Sequence, residues 1–240
     1  MEFARPLTPA VLLRRYQRFL ADMRLDSGET VVAHCPNTGS MLGVNRPGSR
    51  AWLSPADNPA RKLAWTWELA EGPRGGWVGI HTGRANALVR EALEAGLIAE
   101  LAGFTGLRME ARLSARSRTD LLLDFPGGPC YVEVKNLTAA ADGGQGFFPD
   151  AVSERAHKHL DELSAVVAAG GRAAVVFCVQ REDVEEVAPA DHIDPEFGRR
   201  LRAAARQGVE LFALGARLSP RGITLARRLP VRLAPRPQPM

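Results

Sequence analysis

Asp120, Glu133 and Lys135 are the residues whose types and spacing could do chemistry together. In "YVEVKN" (residues 131–136) side chains two apart share a strand face, so Tyr131, Glu133 and Lys135 line one face and Val132 and Val134 the other. Asp120 opens the apolar run "DLLLDF", and the Pro-Gly-Gly-Pro turn at 126–129 folds that run back against 130–136. In such a hairpin the start of one strand lies beside the end of the next, which brings Asp120 towards Glu133. Two neighbouring carboxylates repel, and one stays protonated unless a cation is bound. A divalent ion resolves the conflict, because Mg²⁺ or Mn²⁺ takes hard oxygen ligands from carboxylates, water and phosphate. Such an ion lowers the pKa of water and neutralises charge on a phosphoryl group. Lys135, on the same rim, would orient or deprotonate that water or stabilise the pentavalent phosphorus. The three residues are therefore the candidate catalytic set for phosphodiester hydrolysis. The same pattern also describes an ion pair on an exposed edge strand, so the surrounding elements must discriminate.

From residue 83 the pattern alternates helices and strands. The spacing predicts a helix over 84–96, with Ala85, Leu88, Val89, Ala92 and Leu93 on one face and Gly96 as its stop. Strands are expected at 107–113 and 119–125 before the "YVEVKN" strand. A helix follows over 150–171, with Val152, Ala156, His159, Leu160, Leu163, Val166 and Val167 on one side. The continuous apolar run at 173–180 reads as a buried strand, followed by a helix near 195–207 and a strand at 209–214. This α-β-β-β-α-β order, then α-β, packs helices on both faces of a mixed sheet. The first ~80 residues read instead as short apolar segments between turns, the grammar of a small barrel or sandwich. One stretch there, 11–23, places Leu12, Tyr16, Phe19, Leu20 and Met23 at helical spacing. The domains expected are a barrel at 1–82, a mixed α/β domain at 83–230 and a solvated Pro-rich tail at 231–240.

The chain of 240 residues is 45% hydrophobic and 24% charged, an ordinary globular composition. Its apolar runs fall short of the ~20 residues of a membrane helix, and its start lacks the pattern of a signal peptide. Cys35, Cys130 and Cys178 are odd in number and far apart, which fits a reducing compartment rather than a disulfide framework. The expected location is the cytoplasm, with no membrane partner. No CxxC occurs, which argues against structural zinc. A net charge of +4 is compatible with nucleic acid. No Gly-rich sugar-phosphate motif supports a sugar-metabolising enzyme. A helix-turn-helix at 195–214 is disfavoured because "QGVELF" exits as a strand.

Asp followed by Glu-x-Lys within this element order resembles the PD-(D/E)xK nuclease superfamily. The blocks "RYQRFLAD", "HCPNTGSM", "RKLAWTWEL", "RANALVREAL", "SRTDLLL", "YVEVKN", "FFPDAVSERAHKHLDEL" and "DPEFGRRLRAAARQGVELFA" resemble, in order, those of the sugar fermentation stimulation (SfsA) family. The resemblance implies an N-terminal OB-like β-barrel, a C-terminal PD-(D/E)xK-like domain, DNA binding and a link to expression of sugar-utilisation genes. It also implies strand, not helix, for 11–23. Arg14, Tyr16 and Arg18 would then share a face suited to nucleic acid, with Tyr stacking and Arg on phosphate; a solvated basic face is the alternative. Glu91 matches an acidic residue that relatives place on the first helix, so it is the third candidate metal ligand; a surface Glu beside Arg90 is the other reading. Arg118, Lys158 and Arg181 are candidate nucleic-acid contacts, and pairing with a carboxylate is the other reading of Arg118. His159 reads as a core histidine or a ligand. Gln180 ends a strand near the site, and the role of Glu110 is open. In "HCPNTGSM", His34, Asn37, Thr38 and Ser40 serve phosphate binding or the joint between domains. Ala156 stands where the family usually has Gly, which implies a looser close approach there. Two functions remain. One is a DNA-binding, Mg²⁺- or Mn²⁺-dependent nuclease acting on DNA, with RNA as a further possibility. The other is a non-catalytic, sequence-tolerant DNA-binding transcriptional regulator.

Overall fold

The computed structural model describes residues 1–56, 58, 60–114, 117–141 and 143–234. The N-terminal third is a five-stranded closed barrel built from β1 (Thr8–Tyr16), β2 (Leu20–Leu25), β3 (Thr30–His34), β4 (Arg50–Pro55) and β5 (Trp65–Glu71). Antiparallel pairs join β1 to β2 and β4, β2 to β3, and β4 to β5; a short parallel pairing of β3 with β5 closes the ring. The strand β6 (Trp77–Gly79) extends β5 on its far side. Alternation puts Leu12, Met23, Ala33, Leu53 and Trp67 inside, all fully buried.

Residues 11–23 are a hairpin. Their helical spacing arises because two strands and a tight turn bring Leu12 opposite Met23, both pointing into the barrel. Arg18 does not continue the Arg14–Tyr16 face. It sits in the turn with φ 65°, beside Gln17 at φ 49°, a conformation that non-glycine residues adopt at a cost.

The C-terminal two thirds begin with α1 (Ala85–Glu94) and continue through β7 (Gly106–Met109), β8 (Leu121–Asp124), β9 (Cys130–Leu137), β10 (Gln145–Phe148), α2 (Glu154–Ala168), β11 (Arg172–Val179), β12 (Glu186–Pro189), α3 (Pro195–Gln207), β13 (Glu210–Ser219) and β14 (Gly222–Leu229). Six strands form one mixed sheet in the order β14-β13-β11-β9-β8-β7, with β9, β11 and β13 parallel at its centre. Helix α1 shares one core cluster with Val132 and Val134, while α2 and α3 share the other with Tyr131 and Phe177. The two faces of β9 are thus the apolar and the polar face that its sequence alternation predicts.

Some boundaries differ from expectation. Helix α2 starts at Glu154, not 150, because Ser153 caps it by accepting from the Ala156 amide; Val152, expected on its apolar side, is 67% exposed. Asp194 caps α3 in the same way, with Pro195 in the first turn. The parallel pair β10–β12 and the strand β14 were not expected. β10 and β12 are four residues each, too short for alternation to register. The first residues of the Pro-rich tail are not a free extension. Val231 pairs with Val187, the Arg232 amide donates to Val187 O at 2.7 Å, and Leu233 O accepts from Arg202 Nε at 2.6 Å. Residues 235–240 of the tail lie outside the described residues. No helix of the described residues is long and apolar enough to cross a membrane.

Candidate functional site

The β8–β9 hairpin pairs Leu121 with Val132, and one further step of that register sets Asp120 opposite Glu133. Two anchors fix Asp120. Thr119 Oγ1 donates to Val132 O at 2.8 Å, and the Glu110 amide donates to Asp120 O at 2.8 Å. Glu110 thereby serves the site through its backbone, at φ 50°, while its carboxylate lies 3.8 Å from Arg118. Asp120 Oδ2 accepts from the Val134 amide at 2.8 Å, and Oδ1 accepts from Asn86 Nδ2 at 3.0 Å.

Glu133 and Lys135 project from β9 towards α2 and are both nearly buried. Lys135 Nζ donates to Glu133 Oε1 at 2.7 Å and lies 5.9 Å from the centre of the Phe148 ring. His159 Nδ1 bonds the same Glu133 oxygen. A carboxylate oxygen accepts, so His159 Nδ1 is the donor to Glu133, and Arg155 Nε lies 3.5 Å from His159 Nε2. Burial pushes the Glu133 carboxyl up, but the His159 bond and the Lys135 charge outweigh it and hold Glu133 below the ordinary glutamate value. Asp120 goes the other way. Burial and then the Glu133 charge raise it, against the Val134 amide, Asn86 and Lys135. Of the two neighbouring carboxylates it is Asp120 whose proton is held more tightly, through burial first and the Glu133 charge second. Asp120 and Glu133 are thus two carboxylates on neighbouring strands, both of the hard-oxygen donor type. Among the described residues, no group of three His, Cys, Asp or Glu side chains is arranged to hold a metal ion.

Glu91, the third expected ligand, is not part of this group. Its Oε2 accepts from the amino group of Met1 at 2.6 Å, and that amino group also donates to Ile223 O. The α1 residue that reaches Asp120 is Asn86, in the first turn of the helix. Sequence reasoning missed it, because one asparagine in a helix start carries no signal unless the strand opposite is known.

Beside His159 opens a cleft of about 1010 Å³ lined by Arg112, Ser114, Ser117, Arg118, Glu154, Arg155, Lys158 and His159. Arg118 and Lys158 are more than half exposed, each 3.8 Å from a carboxylate, Glu110 and Glu162 respectively. Arg112 and Arg155 join them. Arg155 sits one helical turn before His159, a spacing visible in the sequence once His159 is assigned to the site. Arg181 is elsewhere and is not a surface contact. It is 1% exposed, its guanidinium pairs twice with Asp183 at 2.7 and 2.8 Å, and Nη1 donates to Thr138 O.

On the barrel, Arg14 and Tyr16 are brought together, yet both are held internally. Arg14 stacks 4.9 Å from the Tyr16 ring and donates to Asp22 Oδ2, while Tyr16 Oη donates to Asp22 Oδ1. Arg18 Nε donates to Thr38 O. The "PNTGS" loop forms a joint. Asn37 Nδ2 reaches Thr138 Oγ1 at 3.4 Å, and Ser40 donates through N and Oγ to Asp150 Oδ2. Gly39 lets Asp150 approach closely there: a Cβ would stand 2.2 Å from Asp150 Oδ2 and would displace that carboxylate from Ser40. His34 is partly buried, and burial followed by the Arg61 charge lowers its pKa. Gln180 Nε2 donates to Asn136 Oδ1 at 2.6 Å, and the Gly79 amide donates to Gln180 O, so Gln180 also serves the seam between the two parts.

With this geometry in place, comparison with known proteins assigns the chain. The profile of the Sugar fermentation stimulation protein RE domain matches residues 83–222, and that of the SfsA N-terminal OB domain matches residues 13–80. The chain belongs to the sugar fermentation stimulation protein family. A homolog from Thioalkalivibrio sulfidiphilus is 56% identical over 235 residues, covering 98% of this chain and 99% of the relative. One from Alkalilimnicola ehrlichii is 57% identical over 235 residues, covering 96% and 99%. Among solved structures, Pyrococcus furiosus SfsA in complex with Ca²⁺ superposes with a TM-score of 0.86 at 29% identity, covering 97% of this chain and 98% of that one. The OB barrel followed by a mixed sheet with flanking helices is thus the architecture of a family member.

Proposed function

We propose that this chain is a divalent-metal-dependent nuclease that binds nucleic acid through the cleft beside α2. One observation supports the reading: Glu133, which pairs with Lys135 and stands one register step from Asp120, is bonded by His159, and His159 lines a cleft with four cations, Arg112, Arg118, Arg155 and Lys158. Asp120 and Glu133 would hold Mg²⁺ or Mn²⁺. When bound, such an ion supplies an activated water and neutralises charge on the phosphate. The Ca²⁺ in the Pyrococcus furiosus relative supports a hard divalent ion for this fold. The chain's own residues do the rest. Arg118 and Lys158 bind flanking phosphates and fix the strand. His159 holds Glu133 in place, and Asn86 holds Asp120. Lys135 Nζ, with donors beyond the one given to Glu133, turns to the scissile phosphate and stabilises its developing charge. The contacts act on phosphate rather than on base edges, so DNA is read without strong sequence preference, and RNA meets the same cleft.

A second reading, a non-catalytic DNA-binding regulator of sugar-utilisation genes, is favoured by a different observation. Glu133 Oε1 already takes both Lys135 and His159, a self-contained buried network. Cleavage assays separate the two. Single- and double-stranded DNA and RNA are incubated with Mg²⁺ or Mn²⁺, using wild type and Lys135→Ala. The nuclease reading expects metal-dependent cleavage that Lys135→Ala abolishes while affinity stays within a few-fold. Tight binding by wild type with no cleavage of any form under either metal favours the regulator.

A further inference from the structure

A second pocket lies in the seam between the barrel and the C-terminal domain. It encloses about 300 Å³, at the small end of the range for ligand pockets, and domain junctions are where such pockets gather. Its position is what gives it a role. Residues 136–138 line it, and they continue β9 directly from Lys135. Phe148 forms another wall, and the same ring lies 5.9 Å from Lys135 Nζ. The pocket is therefore one residue beyond the candidate catalytic rim, on the barrel side, whereas the basic cleft flanks that rim at α2.

The chemistry of the wall suits one ligand class. Phe148 offers an aromatic face. Asn37, Asn136 and Thr138 bring amide and hydroxyl groups, already set in place by the seam bonds Asn37 Nδ2 to Thr138 Oγ1 and Gln180 Nε2 to Asn136 Oδ1. Arg18, at the hairpin tip, offers a cation, and Thr38 forms part of the lip. A base needs a stacking surface and in-plane hydrogen bonds, and a phosphate needs a cation. The walls are also held in advance. A single Arg15 Nη2 donates to Arg18 O, Asn37 O and Gly39 O at 2.7, 2.9 and 3.0 Å, and Ser40 clamps the loop onto Asp150.

We infer that this seam pocket holds one unpaired nucleotide of the strand whose phosphate lies at Lys135, which makes single-stranded nucleic acid, or a single-stranded stretch within a duplex, the preferred substrate. The inference rests on the proposed function for the identity of the strand. A paired base cannot enter a pocket of this size without leaving its helix, so the pocket would discriminate by strandedness and not by sequence.

The test uses the full chain and labelled 12-nucleotide probes: single-stranded DNA, single-stranded RNA and the corresponding DNA duplex, titrated by fluorescence anisotropy at one salt concentration. Thr38→Trp fills the lip. Thr38 is exposed and serves the fold through its carbonyl, which accepts from Arg18, so the backbone contact survives. Wild type should bind single strands more tightly than duplex. Thr38→Trp should weaken single-strand binding tenfold or more and change duplex binding less than twofold. Weakening on DNA alone or on RNA alone identifies which strand uses the pocket. Arg155→Ala with Lys158→Ala should instead weaken all probes alike. If Thr38→Trp fails to fold by circular dichroism, Val152→Trp on the exposed opposite lip takes its place. Equal single-strand affinity in the filled variant, a wild-type preference for duplex, or no binding of any probe would overturn the inference. Affinity is read without added metal, so a failure of cleavage leaves this result intact and the two failures are distinguishable.

Discussion

Asp120 Oδ2 accepts a hydrogen bond from the Val134 amide at 2.8 Å, so the first acid of the candidate site is bound to the strand that carries the second acid and the lysine. That bond fixes geometry but does not offset the cost of holding two acids together. Burial and the Glu133 charge leave the Asp120 carboxyl raised. A raised aspartate binds its proton more tightly in the folded state than in the unfolded chain. The folded state is then penalised above the raised value, and the penalty vanishes as pH falls below the ordinary aspartate value.

Asp120→Asn should therefore be at least as stable as wild type at neutral pH. Its amide oxygen can still accept from Val134, and no charge is left to repel Glu133. Thermal melts from pH 7 down to pH 3 should show the variant's advantage shrinking with acid. In calorimetry at pH 7 the same variant should bind Mn²⁺ more weakly than wild type. A variant with wild-type Mn²⁺ affinity would remove Asp120 from the ligand set.

Glu133→Gln should behave in the opposite sense. Glu133 lies below its ordinary value, so its contribution is fully present above that value and is lost as pH falls through the lowered folded value. Losing the carboxylate leaves the nearly buried Lys135 ammonium without its partner. Breaking one side of a buried pair costs roughly 3–5 kcal/mol. Urea unfolding at pH 7 should show a loss of that order, and the gap between variant and wild type should narrow in acid. An equal midpoint at pH 7 would mean that Lys135 finds another partner.

The thiols give an independent check on the C-terminal core. Burial pushes the Cys178 thiol up to about 12, and burial likewise takes Cys130 to about 12 against the neighbouring Arg172 charge. The thiolate is the reactive form. Neither thiol should react with a disulfide reagent at pH 8 in the native protein, and both should react promptly in guanidinium chloride. Fast native labelling of either would place it outside the core described here.

How far the sequence discloses the site depends on which contacts are local. Asp120, Glu133 and Lys135 were legible because a short hairpin converts spacing into register, and register into proximity. The polar face of β9 was legible from alternation alone. Glu91 and Asn86 show the limit. Both lie on α1, but which of them meets the sheet depends on how the helix is rotated over it, and Asn86 is the one that reaches Asp120. Arg18 lost its expected face because the strand ends at Tyr16 and the chain turns. His159 sits among apolar neighbours on α2, so its buried position is readable, but its partner is carried by a strand 26 residues earlier.

Arg181 and Lys158 provide the sharpest contrast, since both look like phosphate contacts in the sequence. Arg181 has its donors committed to Asp183 and Thr138 O at 1% exposure, whereas Lys158 is more than half exposed in the cleft. Removing a buried cation leaves Asp183 with only the longer Arg74 pairing and Thr138 O without its donor, so Arg181→Ala should lose about 3 kcal/mol of stability in urea. Duplex affinity of its folded fraction should be unchanged, because the buried side chain does not line the α2 cleft. Lys158→Ala removes an exposed charge whose pairing with Glu162 is long and solvated, so stability should move by less than about 0.5 kcal/mol. What it should change is binding: a uniform weakening across sequences, with the slope of log affinity against log salt falling by about one. Urea melts and salt titrations on both variants check the pair. An unaltered salt slope in Lys158→Ala would take α2 out of the binding surface, and weakened duplex binding by fully folded Arg181→Ala would return Arg181 to it.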